Sequence, residues 1–295
     1  MASSPAFFEP GRSAEIVEDS FGNTVEPRLR EVLGSLVRHL HSFVHEVRLR
    51  PEEWQAAIEF LTATGQTCTE TRQEFILLSD VLGVSMLVES LDNSAEGGLT
   101  EATVEGPFHM VESPARELGA DLNDADGPGE PCLVTGHVRD ETGSPVPLAT
   151  VDVWQANAEG FYDVQQSSRP IGDLRGRFTT DELGRFYFRT VVPSHYPIPT
   201  DGPVGRLLRA TSRHEFRPAH IHFEVSAPGL RTLTTHVFVA GSPYLESDAV
   251  FGVREGLVRD FEIVDDAAAA AEAGLPSPYR RVDFPVTLRH DPSGH

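Results

Sequence analysis

The chain has 295 residues, 39% of them hydrophobic and 23% charged, with a formal net charge of −21 at pH 7. A field of that sign repels phosphate backbones and acidic lipid headgroups, which argues against nucleic-acid partners and against membrane insertion. All 24 basic residues are Arg, which excludes chemistry built on a lysine amine, from Schiff bases to the phosphate-binding P-loop.

The first sixteen residues lack the basic and apolar regions of a secretory signal, and no apolar run is long enough to span a bilayer. Cys68 and Cys132 form no C-x-x-C pair and read as thiols of a cytoplasmic protein. Leu29, Leu33, Leu36, Leu40, Phe43 and Val47 alternate at spacings of four and three. That pattern predicts an amphipathic helix suited to packing on another subunit or domain. Pro51, Glu52 and Glu53 restart a helix, proline being tolerated in the first turn and acids favoured at its positive end. A third helix is predicted over about residues 69–91. Phe75, Leu78, Leu82 and Met86 lie on one face of it, and Leu77, Asp80 and Val84 on another, where Asp80 interrupts an apolar stripe.

Residues 93–98 and 119–131 are rich in Gly, Asp, Asn or Pro and read as loops. The second resembles a calcium loop in Asp124, Asp126 and Gly127, but Leu122 holds the first ligand position and no Glu closes it. From Cys132 onward short alternating segments dominate, LVTGHVRD, TVDVWQA, GRFTTD, GRFYFRTV, AHIHFEVS, TLTTHVFVA and RRVDFPVTL, and the turns at Asp140 and Asp181 are expected to close hairpins. The fold class expected is mixed but mainly β: a β-sandwich over 101–295 preceded by a helical segment over 1–100, with a short surface helix at Ala267–Ala271.

Neither G-x-S-x-G, H-E-x-x-H nor G-x-G-x-x-G occurs. His220 and His222 fall on one face of a predicted strand, close enough to chelate one ion, although an isolated H-x-H is more often plain sheet surface. Arg217 and Pro218 precede them, and Tyr162 and Tyr196 sit in loop contexts that a sandwich could converge. A lone tyrosine is more often a packed ring with a satisfied hydroxyl. His39, His41 and His45 read as a solvated helix face, and His137, His195 and His236 receive no role.

Together, Glu-Gly-Pro-Phe at 105–108, VDVWQANAEGFYD, GRFYFRTVVPSHYPIP, RPAHIHFEVSAPG and SDAVFGV resemble the intradiol ring-cleaving dioxygenases over essentially the whole chain. The resemblance implies a non-haem Fe(III), one per subunit, held by Tyr162, Tyr196, His220 and His222. Two phenolates and two neutral imidazoles form a donor set that suits a hard trivalent ion. It implies Arg217 as the group that stabilises anionic intermediates and Tyr196 as a base for the protons of an ortho-diphenol, which reacts with O2. It further implies a pocket of Leu77, Asp80, Val104, Glu105, Gly106, Pro107, Phe108, Ile198, Pro199, Arg217 and Val250. A carboxylate at Asp80 would accept a hydrogen bond from a third ring hydroxyl, favouring 1,2,4-trihydroxybenzene (hydroxyquinol) over catechol, with 3-hydroxy-cis,cis-muconate (tautomer maleylacetate) as product. A homodimer joined through the helical segment is implied as well, with a phospholipid as a possible guest at that interface. The alternative within the family is a catechol or substituted-catechol 1,2-dioxygenase. Two rivals of other classes remain: a non-catalytic β-sandwich module for lipid or carbohydrate, and a zinc hydrolase, for which no carboxylate or Cys stands at suitable spacing as a third ligand.

Overall fold

The computed structural model describes residues 7–69, 72–93, 98–106, 108–109, 113–167 and 169–291. Helix α1 (Ser13–Asp19) lies against α2 (Pro27–Val47), which Pro27 opens and Glu26 caps by accepting from the amides of Arg28 and Leu29. Gly34 lets α1 approach, since a Cβ there would meet the Glu18 carboxylate at 2.9 Å. His41 is half-buried against the Ser13 hydroxyl at 2.8 Å, and His45 Nε2 donates to the Pro10 carbonyl at 3.1 Å. Leu29, Leu36, Leu40, Phe43 and Val47 stay about half exposed along α2. Helix α3 (Pro51–Thr67) follows.

Contacts divide the chain into two compact units after Ala63, inside α3, whereas the sequence pattern changes near residue 100. Helices α4 (Glu74–Val81) and α5 (Val84–Asp92) therefore belong with the strands. The reason is a buried carboxylate: Glu74 accepts the amide of Val204 at the head of α6 (Pro203–Ala210) and pairs with Arg72. The single helix expected over 69–91 is broken. Gly83 adopts φ 72°, a left-handed conformation that ends α4 and starts α5 on a new axis. That break redistributes the expected faces: Leu78 and Met86 are buried, Phe75 and Leu82 exposed, and Val84 does not share the buried face of Leu77 and Asp80.

Twelve strands follow among the described residues: β1 (Pro131–Asp140), β2 (Thr150–Gln155), β3 (Arg175–Thr179), β4 (Arg185–Val191), β5 (Tyr196–Pro197), β6 (Phe216–Arg217), β7 (His220–Ser226), β8 (Leu233–Val239), β9 (Val258–Arg259), β10 (Glu262–Val264), β11 (Tyr279–Asp283) and β12 (Val286–Leu288). In one sheet β1 pairs antiparallel with β4 on one side and parallel with β11 and then β12 on the other, with β10 beyond β11. The second sheet runs β3-β2-β7-β8-β9. One hydrophobic core joins the two, with Val134, Phe186 and Phe188 from the first sheet meeting Val151, Val153, Ile221 and Phe223 from the second. The segment RRVDFPVTL supplies two strands because Phe284 and Pro285 interrupt it. Asp181 does form the expected turn, accepting from the amides of Leu183 and Arg185, but it carries the chain from β3 in one sheet to β4 in the other and closes no hairpin. Helix α7 (Ala267–Ala273), capped by Asp266, is the helix read from the alanine run.

Alternation along the second sheet positions the site. Val151 and Val153 in β2 and Ile221, Phe223 and Val225 in β7 face the core, so Trp154, His220 and His222 emerge on the opposite face. That face is also buried, under loops and the β5–β6 ribbon.

Candidate metal centre and substrate pocket

Tyr162 is fixed from both sides. Its amide donates to the Gln165 side chain and its carbonyl accepts from the Gln165 amide, while the next residue, Asp163, pairs with Arg175 at 2.7 Å with both groups buried. Tyr196 lies on the ribbon, where register places it directly opposite Arg217. His220 and His222 stand two residues apart on β7, as the H-x-H spacing requires.

The four polar tips converge. Tyr162 Oη lies 3.0 Å from His222 Nε2, and His222 Nε2 lies 3.0 Å from His220 Nε2. Arg217 Nη1 reaches Tyr196 Oη at 3.4 Å and His220 Nε2 at 3.3 Å. All of these residues are at most 1% exposed. His220 donates from Nδ1 to the Pro218 carbonyl at 2.7 Å, so its proton sits away from the cluster and the Nε2 lone pair faces it.

Burial, reinforced for His220 by Arg217 and for His222 chiefly by the neighbouring His236 and His220, holds both imidazoles well below the usual histidine range. Both are held neutral, the form in which an imidazole nitrogen can bind a metal ion. Burial and the adjacent Tyr196 push the Tyr162 phenol well above its ordinary value, so its ionisation here calls for a compensating cation. Two oxygens, two neutral nitrogens and no thiol or carboxylate make a donor set that fits a hard trivalent metal ion.

Around this cluster, burial opposes the Arg217 charge, yet Asp248 and the tyrosine oxygens raise its pKa further. Asp248 Oδ1 lies 3.2 Å from Arg217 Nε, and the same carboxylate takes the amides of Val250 and Gly252. The ion pair thus orients the guanidinium and shapes the turn that carries Val250. Trp154 stacks on His222, ring centroids 4.7 Å apart. The loop before β1 covers the site: Phe108 stacks on Tyr162 at 4.5 Å, and Gly106, at φ 80°, brings its backbone so close that a Cβ would stand 3.1 Å from His222 Cε1.

The remaining expected pocket residues separate into three groups. Leu77, Val104, Ile198 and Val250 are buried, and Pro199 is half-buried. Asp80 is buried, 2% exposed, where an acid that interrupts an apolar helix stripe is ordinarily partly exposed. Burial raises its pKa while Ser85 and Arg217 lower it, and its Oδ1 has no hydrogen-bond partner. Glu105 turns outward, half exposed, and pairs with His109, which lowers the Glu105 pKa and raises that of His109. Pro107 lies outside the described residues.

Two residues were missed. His236, given no role from sequence, is fully buried in β8 directly across from His222, their rings 4.1 Å apart. Its neighbours make it part of a three-histidine group with His220 and His222. The signal was present, since a hairpin turning at Gly229 sets residues 222 and 236 opposite one another. Asp248 had no signal of its own, because its partner Arg217 comes to it only through the fold.

A buried Tyr2His2 cluster with an adjacent Arg, on the outer face of one sheet of a mixed sandwich, has the donor chemistry of a metal site. Comparison with known proteins fixes the class. A family model described as "Dioxygenase" matches residues 104–289, and one described as "Catechol dioxygenase N terminus" matches 26–100. The chain belongs to the intradiol dioxygenases, a family dependent on non-haem iron. It is 52% identical to a hydroxyquinol 1,2-dioxygenase of a Rhizobium species, over 91% of each chain. It is 53% identical to a 6-chlorohydroxyquinol 1,2-dioxygenase of Cupriavidus pinatubonensis, over 81% of this chain and 86% of that one. Among solved structures, a hydroxyquinol 1,2-dioxygenase from Pseudomonas putida superposes with a TM-score of 0.87 at 45% identity, covering 96% of this chain and 99% of that one. A catechol 1,2-dioxygenase from an Acinetobacter species gives 0.82 at 29%, covering 98% and 96%.

Proposed function

We propose that this chain opens the ring of hydroxyquinol between its two adjacent hydroxylated carbons, inserting both atoms of O2 to give 3-hydroxy-cis,cis-muconate, the tautomer of maleylacetate. One Fe(III) per subunit would be held by Tyr162, Tyr196, His220 and His222. The single observation that carries the reading is the convergence of these four tips beside Arg217 in a site closed to solvent. Similarity to enzymes named for hydroxyquinol at about half identity supports the substrate.

The iron supplies chelation of the diphenol and its electronic coupling to O2. The chain's own groups do the rest. Tyr196 is the base that receives a hydroxyl proton as the diphenol enters, and Arg217 balances the negative charge that follows. Leu77, Val104, Gly106, Phe108, Ile198, Pro199 and Val250 wall the ring and exclude water. Asp80 accepts a hydrogen bond from the third hydroxyl. A carboxylate placed for that bond rejects catechol, because the analogue leaves a buried polar atom unanswered.

Residues 1–100 would join two copies into a homodimer, a role supported by the exposed apolar stripe of α2. The same stripe is suited to hold phospholipid acyl chains. Two free cysteines accord with a reducing, cytoplasmic setting.

The test is oxygen uptake by the iron-loaded protein with hydroxyquinol and with catechol, repeated in Asp80→Ala. The wild type should favour hydroxyquinol, and the variant should lose about tenfold or more of that preference. An unchanged ratio in the variant sinks the role of Asp80. Catechol turned over faster than hydroxyquinol by the wild type promotes a catechol 1,2-dioxygenase, and protein that neither retains iron nor consumes oxygen returns the binding-module reading.

A further inference from the structure

His236 is wholly buried, yet only one of its ring nitrogens is answered by protein: Nδ1 bonds the hydroxyl of Thr103, while Nε2 has no partner. Thr103 is itself fixed, since its amide donates to the Thr234 carbonyl at 2.9 Å on the strand that carries His236. The ring is boxed in by His222 at 4.1 Å, by His220 at 4.7 Å and by Phe238 at 5.3 Å, which leaves it no freedom to seek another partner. His220, His222 and His236 each offer a ring nitrogen within 4.8 Å of the other two, close enough for one small ligand to lie among them. A buried polar atom left unanswered is costly, and a ring pinned in this position calls for a partner at Nε2.

We propose that His236, tethered by Thr103, donates a hydrogen bond from Nε2 to the non-protein oxygen ligand of the metal centre: water or hydroxide at rest, a substrate oxygen during turnover. This rests on the reading of the site as an iron centre. An oxygen ligand carrying negative charge selects the Nε2–H tautomer, and the Thr103 hydroxyl answers by donating to Nδ1. The threonine hydroxyl, able to donate or to accept, accommodates that tautomer and anchors the ring. The bond fixes where the exogenous oxygen sits beside the Tyr196 phenol and Arg217, and so how the diphenol is presented.

The experiment uses the full-length iron-loaded protein and three variants, His236→Leu, His236→Gln and Thr103→Val. Iron content, the visible phenolate-to-iron band without substrate, and kcat and KM for hydroxyquinol are measured. His236→Leu should keep its iron, shift the resting band, and lose about tenfold in kcat/KM, the scale of one buried hydrogen bond. His236→Gln, which retains an N–H of similar reach, should restore both in part, and Thr103→Val should move the band in the same direction by less. A His236→Leu protein with full iron, an unmoved band and wild-type kinetics would overturn the proposal. Loss of iron in His236→Leu would overturn it too, since the ring would then be a prop for His220 and His222. Failure of this inference alone is a wild-type band that no variant moves. Absence of the band from the wild type itself would overturn the iron reading and this inference together.

Discussion

The two units of the chain invert the ordinary placement of residues in opposite ways. In the sheet-bearing unit, groups that belong in water are inside: Arg217, Asp248, Asp80, Arg175 and three histidines are each at most 4% exposed. In the helical unit, residues that belong inside are outside, with Leu36, Leu40, Phe43 and Val47 about half exposed along one helix. Buried charge is tolerated only where it is paired or awaits a counter-ion, and a continuous apolar stripe persists on a surface only where something covers it. Each inversion therefore points to something beyond the single chain. For the sheet the proposed occupant is a cation with its substrate, and for the helix a second copy.

The difference can be broken at several points. The largest effect is expected at Asp163→Ala, which strands the fully buried Arg175 guanidinium beside Tyr162, the proposed iron ligand. Breaking a buried pair by removing one partner costs about 3–5 kcal/mol, to be read from the denaturant midpoint at constant slope. In the helical unit, Leu36→Glu with Leu40→Glu places two acids in the apolar stripe. The proposed dimer should then dissociate at concentrations where the wild type stays paired, as seen by sedimentation. An unchanged assembly would show that the stripe is covered by something else.

A smaller effect tests Asp80. Burial raises its pKa, so the fold opposes its ionisation. The wild type is then least penalised below the ordinary carboxyl value of 3.8 and loses stability as pH rises from there through the raised value. Asp80→Asn cannot ionise. Its melting temperature should match the wild type near about pH 4, exceed it by a gap that grows as pH rises, and hold that gap once Asp80 has ionised in the folded protein. A constant gap across that range would mean that Asp80 does not titrate against its surroundings. Smallest of all, Arg28→Ala removes a fully exposed pair with Glu31 on α2 and should leave the melting temperature unchanged.

Much of this was legible in the sequence because period and composition carry it. Alternation marked β1, β2, β3, β4, β7 and β8, since each has one face in the core, and the heptad marked α2. What escaped depended on three dimensions. The two-residue strands β5 and β6 have no period to detect, yet they set Tyr196 opposite Arg217. The Asp181 turn has hairpin chemistry but joins different sheets, because local turn signals say nothing about which strand receives the partner. Gly83 read as one more residue of a long helix, and its positive φ is what ends α4 and takes Val84 off the face of Leu77 and Asp80. His220 and His222 stood out as a local pair, whereas His236 belongs with them only once β7 and β8 are in register.

The central claim is that Tyr162 and Tyr196 bind ferric iron as phenolates beside His220 and His222. It is tested most directly by the visible absorption spectrum of the iron-loaded protein and of Tyr162→Phe and Tyr196→Phe, with iron measured on the same samples. A red phenolate-to-iron charge-transfer band that weakens in each variant, and broadens to longer wavelength when hydroxyquinol is added without oxygen, is the predicted result. A colourless wild type carrying a full complement of iron would contradict it.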